Sequence, residues 1–122
     1  KIYVAHSTKY NYQKELYEPI RNSELGKKHD FVMLPENYDS SGEPFDSKGL
    51  FENGCDLVIV EVSLPSIGMG IELGWANMKK IPIICFYKKG SQVSGSIKAV
   101  TDKIIEYSDV NDFISKLEIV LE

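Results

Sequence analysis

Apolar residues along the chain fall into short runs that alternate with amphipathic stretches. Lys1 to His6 (KIYVAH) is a run of strand type, closed by the small polar residues Ser7 and Thr8. From Gln13 to Leu25 the period changes, with Leu16, Tyr17 and Ile20 on one side of a helix. Pro19 is expected to bend or split that helix and Gly26 to stop it. His29 to Leu34 predicts a second strand, ended by Pro35. Glu36 to Pro44, rich in Asn, Asp, Ser and Gly, predicts a loop, and Phe45 to Gly54 a short helix. Asp56 to Val62 (DLVIVEV) is almost continuously apolar, as central strands of parallel sheets are. Gly68 to Lys80 predicts a helix that starts on glycines and ends on cations. Ile81 to Tyr87 predicts a fourth strand, Ser96 to Ala99 a helical turn and Lys103 to Tyr107 a fifth strand. Asp109 to Leu121 is amphipathic, with Ser108 or Asp109 as its cap.

Strands that alternate with helices predict one α/β domain over residues 1–122. Its expected form is a three-layer sandwich around a five-stranded parallel sheet, flavodoxin-like or Rossmann-like. Such sheets bind ligands beyond the carboxyl ends of their strands. Three segments meet that edge: His6-Ser7-Thr8, Ser63 to Gly70, and Lys88 to Ser94.

Composition narrows the partners. The 122 residues are 43% hydrophobic and 26% charged, which suits a globular protein rather than a disordered one. Lys and Arg number 14 against 18 Asp and Glu, a net charge of -4. That balance argues against a general binder of nucleic acid or of membrane surfaces. No apolar stretch approaches ~18 residues, so no membrane span is expected, and no signal peptide is visible. The chain opens in a strand without an initiator methionine, so a short preceding piece is expected. Cys55 and Cys85 read as reduced core thiols, which suits the cytoplasm. His6 and His29 are too few and too far apart to argue for a zinc site.

The candidate chemistry lies in Val62 to Gly74 (VSLPSIGMGIELG). Ser66, Gly68 and Gly70 stand at a strand-to-helix junction, where unpaired N–H groups and the helix dipole favour an anion such as phosphate. The spacing Gly68-x-Gly70-x-x-x-Gly74, after the third strand, is not a dinucleotide fingerprint. Glu72 admits two readings. It is an early-turn acid that complements the dipole or closes a capping box, or a carboxylate that attacks or stabilises a cationic sugar C1 carbon beside the anion. His6 is either a strand-end histidine with ordinary hydrogen bonds or a group that supplies a proton or touches phosphate. Tyr10, Tyr12 and Tyr17 are expected to cover the first helix, with Tyr10 or Tyr12 the candidate to stack on a base. Lys9, Lys88 and Lys98 read as surface lysines that can add charge near an anion. Cys85 has no base partner, and Ser66 is not in a nucleophile elbow.

The run from Asp56 to Tyr87, with its S-x-G-x-G-x-E-L-G core, resembles the nucleoside 2-deoxyribosyltransferase superfamily. Within it the 2'-deoxynucleoside 5'-phosphate N-hydrolase branch is the nearer likeness. Ile2 to Ser7 and Val93 to Lys98 resemble that family's first strand and later phosphate loop, so about half the chain is covered in the right order. The resemblance implies Glu72 as a nucleophile on C1' of the sugar and Tyr3 as the group that orients it. It implies Ser7, Ser66 and the Gly68–Gly70 region as binders of a 5'-phosphate. Ser94 would reach the phosphate in the neighbouring subunit of a homodimer or larger homo-oligomer. Serines at those positions favour a monophosphate substrate, with no metal and no cofactor. The family's general acid, an Asp two helical turns before Asp56, is replaced here by Lys48; Asp46, two residues earlier, is the candidate substitute. That departure keeps open nucleotide binding without turnover, and transfer of deoxyribose between bases stays open because the sequence does not show whether water or an acceptor base reaches the sugar.

Overall fold

The computed structural model describes residues 1–33 and 47–122. Five strands form one wholly parallel sheet: β1 (Ile2–His6), β2 (Phe31–Val32), β3 (Leu57–Glu61), β4 (Ile83–Lys88) and β5 (Ile104–Tyr107). Their order across the sheet is β2-β1-β3-β4-β5. This is the flavodoxin-like order, and it reverses direction between β1 and β3. Tyr3 faces Val58 across that pair and His6 faces Glu61, so the switch point opens just above His6 and Glu61.

Strand alternation sorts the core into two layers. Tyr3, Ala5, Val58, Val60, Val62, Ile83 and Cys85 pack with Phe51, Met69 and Leu73 from α3 (Ser47–Asn53) and α4 (Ile67–Met78). Ile2, Val4, Ile59, Ile84 and Phe86 pack on the other side. Their partners there are Leu16 and Tyr17, Ile20 of α1 (Glu18–Asn22), Leu25 of α2 (Leu25–Lys28), and Phe113 and Leu117 of α5 (Val110–Val120). The apolar runs of the sequence thus serve both faces of the sheet at once.

The first helix departs from expectation. A π turn over Gln13–Tyr17 leads into α1, with Pro19 in the first turn of α1. Pro19 has no N–H to give to the preceding turn, and the wider turn falls at that position. The helix then breaks at extended Ser23, whose hydroxyl donates to the Ile20 carbonyl at 2.8 Å. Gly26 does not stop it; it lies inside α2. A Cβ there would stand 2.7 Å from the Ile20 carbonyl oxygen, so only glycine lets α2 close on α1. Strand β2 is two residues rather than six; His29 closes α2, and Leu34 lies outside the described residues. The predicted loop Glu36–Pro44 lies outside them too, as do Phe45 and Asp46 at the start of the third predicted helix.

The later helices keep their predicted positions. Ser66 caps α4, its side chain accepting from Met69 N–H, and Asp109 caps α5, accepting from Asp112 N–H at 2.8 Å. At the far end of α4, Lys80 N–H reaches the Asn77 carbonyl and Ile81 N–H the Ala76 carbonyl. This is the Schellman closure, and it puts Lys80 in the left-handed region at φ 60°.

Candidate active site

Glu72 stands in the second turn of α4, half-buried against the sheet. Tyr3 of β1 donates its hydroxyl to Glu72 Oε2 at 2.7 Å. Ser47, buried at the start of α3, also hydrogen-bonds this carboxylate. Three elements therefore hold one side chain, and the carboxylate points to Tyr3 and Ser47 instead of closing a capping box. Burial raises the Glu72 pKa above the ordinary glutamate value; the Tyr3 and Ser47 hydrogen bonds oppose that rise. The result is a carboxylate kept short of water and aimed by two hydroxyls.

Ser66, Gly68 and Gly70 lie at the N-terminal end of the same helix. Its first N–H groups have no partner within the helix. Gly68 and Gly70 are exposed, and nothing stands within 4 Å of where their Cβ atoms would be. Ser7 follows β1 in the same parity as Tyr3 and Ala5; it is buried, and its Oγ accepts from Lys9 N–H at 3.2 Å. Ser7 and Ser66 thus leave neighbouring strands β1 and β3 across the switch point. Ser94 stands apart, beyond β4, where its Oγ accepts from Ser96 N–H and meets Ser96 Oγ at 3.0 Å. Asp46 lies outside the described residues. Lys48 is exposed on α3.

A second polar cluster occupies the opposite face of the sheet. His6 is buried, with Nδ1 3.0 Å from the Ser7 carbonyl and Nε2 against the Tyr17 hydroxyl. A carbonyl only accepts, so Nδ1 carries the proton and Nε2 accepts from Tyr17. Burial lowers the His6 pKa, which suits the neutral ring. Tyr12 stacks on that ring at 4.2 Å, so it covers the histidine. Glu61, also buried, accepts from Ser63 N–H at 2.6 Å, from Ser63 Oγ at 2.9 Å and from the Tyr107 hydroxyl. Tyr10 lies 2.6 Å from Tyr107 and donates to it. Burial raises Glu61, and raises Tyr10 to about 12. Lys88 pairs with Glu15 at 3.4 Å, at the surface.

Sequence reasoning missed Ser47 and Glu61. Glu61 had a signal: one carboxylate inside an apolar strand must find donors or lose its charge. Ser47 had none, because a serine at a helix start is ordinary. Both cysteines are free and buried, and burial pushes the Cys85 thiol up to about 12, far from a working thiolate. Among the described residues no helix is long and apolar enough to cross a membrane, and no three His, Cys, Asp or Glu side chains group to hold a metal.

A parallel sheet with this switch point, and a shielded carboxylate behind a capped helix, is the layout in which α/β proteins place small-molecule sites. No protein-family model matches the chain. Its similarity to known proteins is consistent in kind. It is 32% identical over 74 residues to a Methanosarcina mazei protein named "Putative 2'-deoxynucleoside 5'-phosphate N-hydrolase 1", covering 61% of this chain and 45% of that one. A protein of the same name from Methanococcoides burtonii is 30% identical over 92 residues, covering 75% and 66%. The chain spans about half the length of the curated relatives that head the comparison, at 45%, 50% and 42%. In fold it matches the CMP N-glycosidase of Clostridium botulinum with a TM-score of 0.67 at 20% identity, over 96% of this chain and 97% of the other. The chain belongs to the nucleoside 2-deoxyribosyltransferase superfamily.

Proposed function

We propose that this protein cleaves the N-glycosidic bond of a (deoxy)nucleoside 5'-monophosphate through Glu72. The observation that carries this reading is the 2.7 Å hydrogen bond from Tyr3 to a shielded Glu72, one turn beyond the capped end of α4. Cleavage builds positive charge on the sugar, and a fixed carboxylate stabilises it. A Glu72 oxygen forms the bond to C1' as the bond from C1' to the base nitrogen breaks. The bonding electrons leave with the base, which takes a proton from a general acid. Water then attacks C1', releases Glu72 and gives its proton to the group that protonated the base, restoring the acid. Ser7, Ser66 and the backbone at Gly68 and Gly70 hold the 5'-phosphate, with Ser94 of the partner subunit completing the site in a homodimer. Asp46 is the assigned acid. The names of the relatives support the same substrate class.

Lys48, where the family has its acid, favours a second reading: nucleotide binding without turnover. One experiment separates them. The protein is incubated with each common nucleoside and deoxynucleoside 5'-monophosphate, with and without a free acceptor base, and released base is separated by chromatography. Base release without acceptor, abolished in Glu72→Ala while monophosphate binding persists, is the expected result. Product only with acceptor makes the protein a transferase. Binding with no release across the panel overturns the enzyme reading.

A further inference from the structure

Hydrogen bonds converge on Glu61 from two sides. The Tyr10 hydroxyl donates to Tyr107 at 2.6 Å, and Tyr107 donates to Glu61 Oε2. On the other side Lys88 N–H donates to Ser63 Oγ at 2.8 Å. Ser63 in turn gives its hydroxyl to Oε2 at 2.9 Å and its N–H to Oε1 at 2.6 Å. One buried carboxylate thus joins the turn after β1, the loop after β3, and the last residues of β4 and β5. Two of those segments carry candidate phosphate groups. Ser7 lies three residues before Tyr10, whose N–H closes the turn on the Ser7 carbonyl at 3.2 Å. Ser66 lies three residues after Ser63.

Stability alone does not call for a charge at this position. Glu61 faces Phe86 across the sheet and follows Ile59 on the same side, in apolar company. Taking a carboxylate out of water is costly, and a well-packed apolar side chain is often as stable in its place. An apolar side chain cannot, however, accept hydrogen bonds of set length and direction. Among the described residues no buried side-chain polar atom lacks a partner, and a fully satisfied network is rigid.

We propose that Glu61 is a positioning residue for phosphate: from the face of the sheet opposite Glu72, it fixes the turns of Ser7 and Ser66 at the spacing one phosphate group needs. The proposal rests on the reading above that a 5'-phosphate lies between those serines. Glu61 acts through Tyr10 and Ser63 rather than on the ligand. Hydrogen bonds to a phosphate oxygen weaken steeply as distance and angle depart from ideal. Two serines on separate segments can share one phosphate only if the segments keep their spacing. Glu72 is held from the other face by Tyr3 and Ser47, so loss of Glu61 spares its aim.

Calorimetric titration reads binding directly, so the test needs no turnover. Each common nucleoside and deoxynucleoside 5'-monophosphate, and its parent nucleoside, is titrated into wild type, Glu61→Gln and Tyr10→Phe. Glutamine keeps the size but offers one acceptor oxygen, so Tyr107 or Ser63 loses its hold. Both variants should weaken monophosphate binding by about 10-fold or more, the worth of one charge-assisted hydrogen bond. Affinity for the parent nucleoside should not change. A merely structural role would not produce that split, because general loosening weakens both ligands alike. Circular dichroism checks that each variant is folded; should Glu61→Gln fail to fold, Tyr10→Phe decides. A folded variant that binds monophosphate as tightly as wild type, or loses both ligands equally, overturns the proposal. Wild type that does not prefer monophosphate to nucleoside, or binds neither, overturns instead the phosphate reading beneath it.

Discussion

Burial resists the charge that Glu72 needs for its proposed role as nucleophile. Tyr3→Phe removes a donor that favours the charged form. The acidic limb of the rate profile should then move to higher pH, and kcat should fall on the order of 10²-fold from lost aim. A kcat–pH profile checks both. Stability should run the other way. A carboxyl whose folded pKa is raised has its stabilising effect in full below the unfolded value and loses it as pH rises through the folded value. Glu72→Gln should therefore melt higher than wild type at neutral pH, with the gap closing below the ordinary glutamate range; thermal scans at both pH values test it. Glu72 and Ser66 stood out in the sequence because a Gly-rich strand-to-helix turn with an early acid is a compact local pattern, whereas Tyr3, on β1, came only from the family resemblance. Ser47 was not legible, because its hydrogen bond to Glu72 joins α3 to α4 and leaves no periodic trace.

Among the elements, boundaries followed the chemistry of their ends. Apolar runs located β1, β3, β4 and β5 to within two residues, and Asp109 was legible as a cap from its place before an amphipathic run. The stretch from Gln13 to Lys28 was not. Whether Pro19 bends, splits or starts a helix depends on the turn before it, and Gly26 is set by contact with the Ile20 carbonyl rather than by local preference. Lys80 carries a cost of the same local kind. Its left-handed backbone is where Schellman closures take glycine, and a side chain there is strained by about 1 kcal/mol or more. Lys80→Gly should raise stability by about 1 kcal/mol, a melting-point gain of about 4 °C. Chemical denaturation should show the same gain with an unchanged m-value. Base release should be unaffected.

Across the whole molecule, alternation of strands and helices made the parallel three-layer architecture legible, but not which of two strand orders it takes. Right-handed crossovers permit both, and the choice rests on packing between residues far apart. Glu61 shows how such packing binds the sheet: through Tyr107, Tyr10 and Ser63 it ties β3 to β5 and to the first loop. Tyr107→Phe should cost about 1–3 kcal/mol at neutral pH. Losing that donor raises the folded Glu61 pKa further, so the cost should shrink below the ordinary glutamate range. Urea unfolding at the two pH values measures the difference. The carboxylate of Glu72 hangs from a strand and two helices, whereas Ser7, Ser66 and Ser94 sit in or at the edge of turns. On the proposed function, bond-breaking and substrate choice would therefore occupy separately mutable parts of the chain. If that function holds, a descendant could exchange its turns to accept a new nucleotide while inheriting the same pH profile, and chemistry would diverge more slowly than taste.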